Sequence, residues 1–271
     1  MYLTRHLAPN GPRWALDGRY LPEHFRLGLL LQLPQQAVST LLADLPKGEA
    51  AKDRLLPPIE PTQEVWASGV TYLRSREART AESESKDVYE RVYEAERPEL
   101  FFKSTGVRAV GHGMKIRVRA DARWSVPEPE LTLVINAAME IVGFTAGNDV
   151  SSRDIEGENP LYLPQAKVYN GSCAVGPGIH LATAEEASDV AIAVEIERGG
   201  ASVFKGETRS SKMKRRLPEL AAYLGRELEF REGVLLMTGT GIVPPDDFTL
   251  RPGDVVRIRV GPLTLENEVA A

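Results

Sequence analysis

Apolar positions cluster along this chain in short runs separated by polar turns, and most runs have the length and composition of strands. "EVWASGV" near residue 65 and "ELFFK" near residue 100 are two of them. "KIRV", "ELTLVIN", "EIVGFTAGNDV", "AVGPGIHL", "VAIAVEIERGG" and "ASVFKGE" follow, and "GVLLMTGTGIV" and "DVVRIRVGPLTLENEV" close the chain as strands and loops. Helical periodicity is confined to three places. One helix is predicted over roughly Gln35 to Leu45 and a charge-rich helical tract over Leu73 to Glu96. An amphipathic helix in "SSKMKRRLPELAAYLGREL" has Ser210 and Ser211 as candidate caps. Strands and helices do not alternate regularly, which argues against a doubly wound nucleotide fold and for a β-rich α+β fold.

The prolines of "PPIEPTQ", residues 57–63, disfavour helix and mark a seam. The pattern therefore divides into a small N-terminal unit, residues 1–60, and a main domain, residues 61–271. The middle of the charge-rich tract, "TAESESKD" at residues 80–87, has no apolar stripe and reads as a mobile segment or lid.

Composition narrows the classes of function. The net charge is −5, and the densest basic run, "KMKRR" at 212–216, reads as a solvated helix face, so a nucleic-acid partner has no electrostatic footprint. A single cysteine, Cys173, excludes a disulfide framework and thiolate metal clusters. No apolar run approaches about 18 residues, the length a membrane span needs. The N-terminus carries no signal-peptide core, so a soluble cytoplasmic protein without a membrane partner is expected.

The candidate chemistry begins in "SVPEPELTLVIN". Glu128 and Glu130 stand two apart where a buried strand opens, and residues i and i+2 of a strand share a face. Two like charges on one face entering a core call for a cation. Asp149, at the exit of the apolar run "EIVGFTAGND", can supply a third carboxylate. Such an all-oxygen set favours magnesium, manganese or calcium over zinc. The spacing by itself fits a solvated strand end as well as a metal site.

Four motifs in order, "PEPELTLVIN", "GFTAGNDVSSRD", "NPLYLPQAKVYNGSCAVGP" and "MTGTGIVP", resemble the fumarylacetoacetate hydrolase family over roughly residues 62–268. The resemblance implies a mixed β-roll catalytic domain, a homodimer, and a magnesium or similar ion held by Glu128, Glu130 and Asp149. It also implies Lys167 beside the oxo-acid end of a substrate, and a loop of Thr238, Gly239 and Thr240 donating hydrogen bonds to a carboxylate. Carbon–carbon hydrolases of the family place a histidine after a tyrosine near the lid. Here "GVTYLRSREAR" has Ser75 instead, followed by Arg76 and Glu77.

That departure, with "VYEAERPELFFK" and "ENPLYLPQAKVY", is similar to the 2-keto-3-deoxy-pentonate dehydratases, those acting on 2-keto-3-deoxy-D-arabinonate among them. The implied reaction converts a small 2-oxo sugar acid to 2,5-dioxopentanoate and water, and it needs no activated water. On this reading Lys167 and Glu99 are base and acid, with the assignment reversible, and Arg74 and Arg76 clamp the substrate. Lys103 faces the pocket, and one of Phe101 and Phe102 lines it. A carbon–carbon hydrolase, an oxaloacetate-type decarboxylase and a non-catalytic sugar-acid binder are the alternatives.

Overall fold

A computed structural model describes residues 1–82 and 86–271. The first 60 residues contribute strands β1 (Tyr2–Ala8), β2 (Gly11–Leu16), β3 (Arg19–Tyr20) and β4 (Arg54–Leu56). Helices α1 (Leu27–Leu30) and α2 (Gln35–Asp44) lie between β3 and β4. Strands β5 (Glu64–Gly69) and β6 (Glu99–Thr105) flank helices α3 (Leu73–Glu82) and α4 (Lys86–Glu94). Then come β7 (Ser125–Val126), β8 (Pro129–Ile135), β9 (Ile141–Asp149) and β10 (Ser151–Ser152), with the short helices α5 (Arg153–Glu158) and α6 (Leu163–Lys167) after them. Strand β11 (Cys173–Leu181) and helix α7 (Ala184–Ala187) precede the hairpin β12 (Ala191–Arg198) and β13 (Ala201–Arg209). Helix α8 (Leu217–Leu224) leads into β14 (Val234–Met237), β15 (Val255–Val260) and β16 (Leu263–Glu268).

Nine strands form a path ordered β3-β2-β1-β11-β9-β8-β14-β5-β6, and β4 joins it by pairing with β1. The pairing of β14 with β5 is parallel, while β8 with β9 and β9 with β11 are antiparallel. A second sheet runs β13-β12-β15-β16. The seam at 57–63 falls between β4 and β5 of the same sheet, and β1 is hydrogen-bonded to β11.

The large sheet is covered on both faces, which is why its central strands read as unbroken apolar runs. Leu131, Leu133 and Ile135 of β8 pack into one cluster with Ile192, Val194 and Ile258 of the second sheet. Val134 of the same strand packs into the other, with Leu30, Leu31, Val38 and Leu42 of the N-terminal helices and their junction. Each fully buried aliphatic side chain contributes about 1.5–3 kcal/mol by leaving water. Two polar ends of these strands, carrying Glu128, Glu130 and Asp149, are therefore held rigidly inside an otherwise apolar frame.

Three expectations are corrected. The helix expected to start at Ser210 starts at Leu217, and Ser210–Lys212 forms only a 3-10 turn. Pro218 sits in the first turn, where its missing N–H costs nothing; deeper inside a longer helix its ring would clash with the carbonyl of residue 214. "KIRV" forms no strand; Ile116 makes one isolated bridge, to Val269. The basic run is not a solvated helix face either. Lys214 Nζ donates to Tyr93 O (2.8 Å) and Glu94 Oε2 (2.6 Å), and Arg215 donates to Glu96 O (2.9 Å) and Val92 O (3.3 Å), so both bind the end of α4. The centre of the expected lid, residues 83–85, lies outside the described residues.

Candidate active site

The antiparallel register of β8 and β9 pairs Pro129 with Asn148 and Glu130 with Gly147, so the opening of one strand lies beside the exit of the other. Asp149 N donates to Glu128 O at 3.0 Å, which locks the two acidic residues side by side. Glu128, Glu130 and Asp149 are 3%, 1% and 1% exposed. One carboxylate oxygen from each lies within 4.8 Å of the other two. This donor set is all oxygen, buried and convergent, and it fits a hard divalent cation.

The chain also brings cations of its own, which the pattern of β8 does not foretell. Lys167 Nζ, at the end of α6, lies 2.7 Å from Glu128 Oε2, 3.0 Å from Asp149 Oδ2 and 2.6 Å from Ser151 Oγ. Arg153 Nη2, from the first turn of α5, donates to Glu128 Oε1 at 2.9 Å. Lys103 Nζ meets Asp149 Oδ1 at 2.5 Å. Glu130 is held differently: its Oε2 accepts the Gly239 N–H at 2.6 Å. Burial, and then the nearby charges of Asp149 and Glu128, push the Glu130 carboxyl well above the usual carboxylate range. A divalent cation held by the three carboxylates would offset that burial and repulsion.

A small enclosed cavity adjoins the cluster. Glu99, Phe101, Glu128, Asp149, Glu156 and Lys167 line it, together with Ser75, Thr240, Gly239 and residues 68–70. Glu99, the first residue of β6, pairs with Gly69 of β5, and Ser68 Oγ donates to Glu99 O at 2.9 Å. Gly239 has φ +91°, and a Cβ there would lie 2.2 Å from Thr71 Oγ1, so only glycine lets its N–H reach Glu130.

Lys167, Glu99, Gly239 and Thr240 thus surround one space with Glu128 and Asp149. Thr238 is turned away: its hydroxyl donates to Leu131 O (2.9 Å), and its carbonyl accepts from Thr71. Arg74 is exposed and paired with Glu77 at 3.9 Å, and Arg76 stacks 5.0 Å from the Tyr93 ring. Neither arginine lines the cavity. Phe101 is the lining phenylalanine, and Phe102 packs edge-to-face on Trp66. Lys103 lies behind the cavity wall.

Sequence reading overlooked Arg153, Ser151 and Glu156. Arg153 and Ser151 sit inside the quoted "NDVSSRD", and Arg153 and Glu156 are three apart on α5 and so share a face. Both are buried, at 2% and 4% exposure, which for charged residues is itself a sign of a partnered site. None of the four histidines lines the cavity. His6 bonds Thr4 and Asp53, His112 accepts the Glu266 N–H, His180 stacks near Phe144, and His24 is exposed.

The family model described as "Fumarylacetoacetate (FAA) hydrolase C-terminal" matches residues 64–270. The chain is 48% identical over 211 residues to a "Probable 2-keto-3-deoxyxylonate dehydratase" of Haloferax volcanii, covering 76% of this chain and 72% of that one. It is 44% identical over 214 residues to a "2-dehydro-3-deoxy-D-arabinonate dehydratase" of Saccharolobus solfataricus, covering 76% and 71%. It is also similar to a solved "2-keto-3-deoxy-D-arabinonate dehydratase complexed with magnesium and 2,5-dioxopentanoate". That likeness has a TM-score of 0.84 and 35% identity, and covers 100% of this chain and 99% of that one.

Proposed function

The chain belongs to the fumarylacetoacetate hydrolase family, and on that premise we propose that it is a hydro-lyase converting a 2-keto-3-deoxy-pentonate to 2,5-dioxopentanoate and water. The observation that carries the reading is one cavity lined by Glu128, Asp149, Lys167 and Glu99, with Glu130 converging on the first two carboxylates and no histidine on the cavity wall. A neighbour of the same fold, solved with magnesium and 2,5-dioxopentanoate, supports it further.

Glu128, Glu130 and Asp149 would hold magnesium. Bound there, it supplies an electrophile that draws electron density from the 2-oxo acid and so acidifies the protons on C3. Lys167 Nζ, which lies beside two of those carboxylates, acts in its uncharged amine form and takes a C3 proton to become the ammonium. Glu99 gives a proton to the C4 hydroxyl, which leaves as water and produces the C3–C4 double bond. Transfer of a proton from C5 to C3 moves the double bond to C4–C5, and this enol gains a proton at C4 and loses its hydroxyl proton to become the aldehyde. The balance is substrate minus one water, with no oxidant and no attacking water. The alternative carbon–carbon hydrolysis needs a base to activate water, and the cavity wall offers no histidine for it.

The same reading places all the reacting groups in residues 61–271 and treats residues 1–60 as a supporting unit. It takes the enzyme to be a homodimer of the cytoplasm. Among the described residues no helix is long and apolar enough to cross a membrane. The test is proton NMR of the magnesium-loaded protein in heavy water with 2-keto-3-deoxy-pentonates and, separately, acylpyruvates. An aldehyde signal with loss of the C4 carbinol proton is expected, and comparing C4 epimers assigns the stereochemistry. Release of pyruvate from acylpyruvates, with the sugar acids untouched, would overturn the reading in favour of a hydrolase.

A further inference from the structure

We propose that Lys103 is a positioning residue that holds Asp149 and Lys167 in fixed relation to each other, an inference that rests on the dehydratase reading above. Its side chain is 0% exposed, and it does not line the cavity. Its ammonium makes three contacts: Asp149 Oδ1 at 2.5 Å, the Lys167 carbonyl oxygen at 2.6 Å and the Val150 carbonyl oxygen at 3.2 Å.

Taking an ammonium out of water is expensive, and an apolar residue of similar volume often serves a core at least as well. A lysine here therefore answers for its acceptors, not for packing. Those acceptors belong to both halves of the proposed chemistry. Asp149 ends β9 and supplies one of the three convergent carboxylates, whereas Lys167 ends α6 and reaches the cluster from another side. Lys103 forms an ion pair with Oδ1 of Asp149 and the Lys167 side chain donates to Oδ2, so the carboxylate is held between two lysine nitrogens. The same Lys103 Nζ fixes the main chain of Lys167, and with it the origin of the side chain that returns to Asp149.

Strand β6 extends this arrangement to the third participant. Residues 99 and 101 share one strand face, and the pairing of β5 with β6 skips Lys103 at an irregularity, so the strand that presents Glu99 and Phe101 to the cavity also carries Lys103 to Asp149. Lys167 Nζ in turn lies 5.6 Å from the centre of the Phe101 ring. A shift of β6 therefore moves Glu99 together with the hold on Asp149 and Lys167.

K103M keeps the apolar stem and removes the donors, and it separates positioning from simple charge. Loss of a positive neighbour, with nothing else changed, makes a cation bind more tightly. Loss of an orienting partner loosens the ligand. Isothermal titration of metal-free protein with Mn2+ should show binding weakened about 10–100-fold in K103M. Steady-state kinetics should show kcat reduced by a similar factor with KM little changed, and K103R should recover part of both. Circular dichroism and melting establish that the variant is folded, and K103Q, which keeps an N–H donor without the charge, replaces it if it is not. Unchanged or tighter Mn2+ binding in a folded variant overturns the proposal. The Mn2+ titration needs no substrate, so it decides on Lys103 even if the wild-type protein fails to dehydrate any 2-keto-3-deoxy-pentonate.

Discussion

The carboxylate of Glu99 occupies the space that a side chain on Gly69 would fill: a Cβ at residue 69 would stand 1.9 Å from Glu99 Oε2. The two residues face each other across β5 and β6, so the absence of a side chain on one strand lets the acid of the other fold over the sheet into the cavity. G69A should displace Glu99 while leaving the core packing intact. We expect kcat to fall by at least about 10-fold in G69A and by about 10²–10⁴-fold in E99Q, the range for loss of a general acid or base. Wild-type turnover by G69A in the NMR assay would remove Glu99 from the mechanism as drawn.

Gly239 bears on the carboxylate cluster from the opposite side. G239A places a Cβ 2.2 Å from Thr71 Oγ1 and 2.9 Å from Ser68 O, at a φ of +91° that L residues rarely adopt. The N–H that binds Glu130 must then move. A stability loss of about 1–3 kcal/mol is expected from the strained backbone, measured by urea unfolding. Weaker binding of Mn2+ should accompany it.

Glu130 makes stability depend on pH in a direction opposite to an ordinary paired carboxylate. Its folded pKa is raised above its unfolded value, chiefly by burial. The folded state therefore holds the proton more tightly than the unfolded chain does. Glu130 costs nothing below the unfolded value of about 4.5, and its destabilising contribution grows as pH rises from there to the raised folded value. In metal-free protein, E130Q should gain stability relative to wild type across that rise. Excess magnesium should narrow or reverse the difference, because only wild type keeps all three ligands. Parallel melting curves of the two proteins at every pH would contradict this account.

Arg215 fastens the α3–α4 arm to the body. Its side chain is 9% exposed, and it binds carbonyls at the end of α4 as well as Glu219 at 2.9 Å. The segment that carries it also bonds the arm's base, through Lys214 N to Thr71 O at 2.9 Å. R215A should cost about 1 kcal/mol locally, as charge-assisted hydrogen bonds to the partly exposed carbonyls at the end of α4 are lost. Faster tryptic cleavage within residues 73–97, with Ser75 less firmly placed and KM raised, is the expected outcome. Unchanged cleavage would show that the arm is held elsewhere.

Much of this site was legible from local spacing. A strand alternates its side chains, so Glu128 and Glu130 had to share a face, and the apolar run after them had to be buried. Asp149 could be read as an acid at a strand exit for the same reason. The helix occupies 217–224 and does not begin at Ser210, because Pro218 is tolerated in a first turn and not deeper in a helix. Arg74 and Arg76 looked like substrate clamps because charge on a helix gives no hint of which face meets the body; α3 turns Arg74 to solvent and Arg76 to Tyr93.

The sequence by itself determined that Glu128 and Glu130 share a strand face and that Asp149 ends a buried run, because a strand repeats every two residues; that the three converge opposite the loop at Gly239 is what the family resemblance implied. Only the tertiary structure decided which cations meet them. Lys103 is 46 residues from Asp149 along the chain, yet their side chains are in contact, and Arg153 reaches Glu128 across 25 residues. Contacts of that span depend on how β6, β9 and two short helices pack against one another. A buried charge leaves no periodic signature, since its pairing is settled by the low dielectric of the finished interior and not by the residues beside it in sequence.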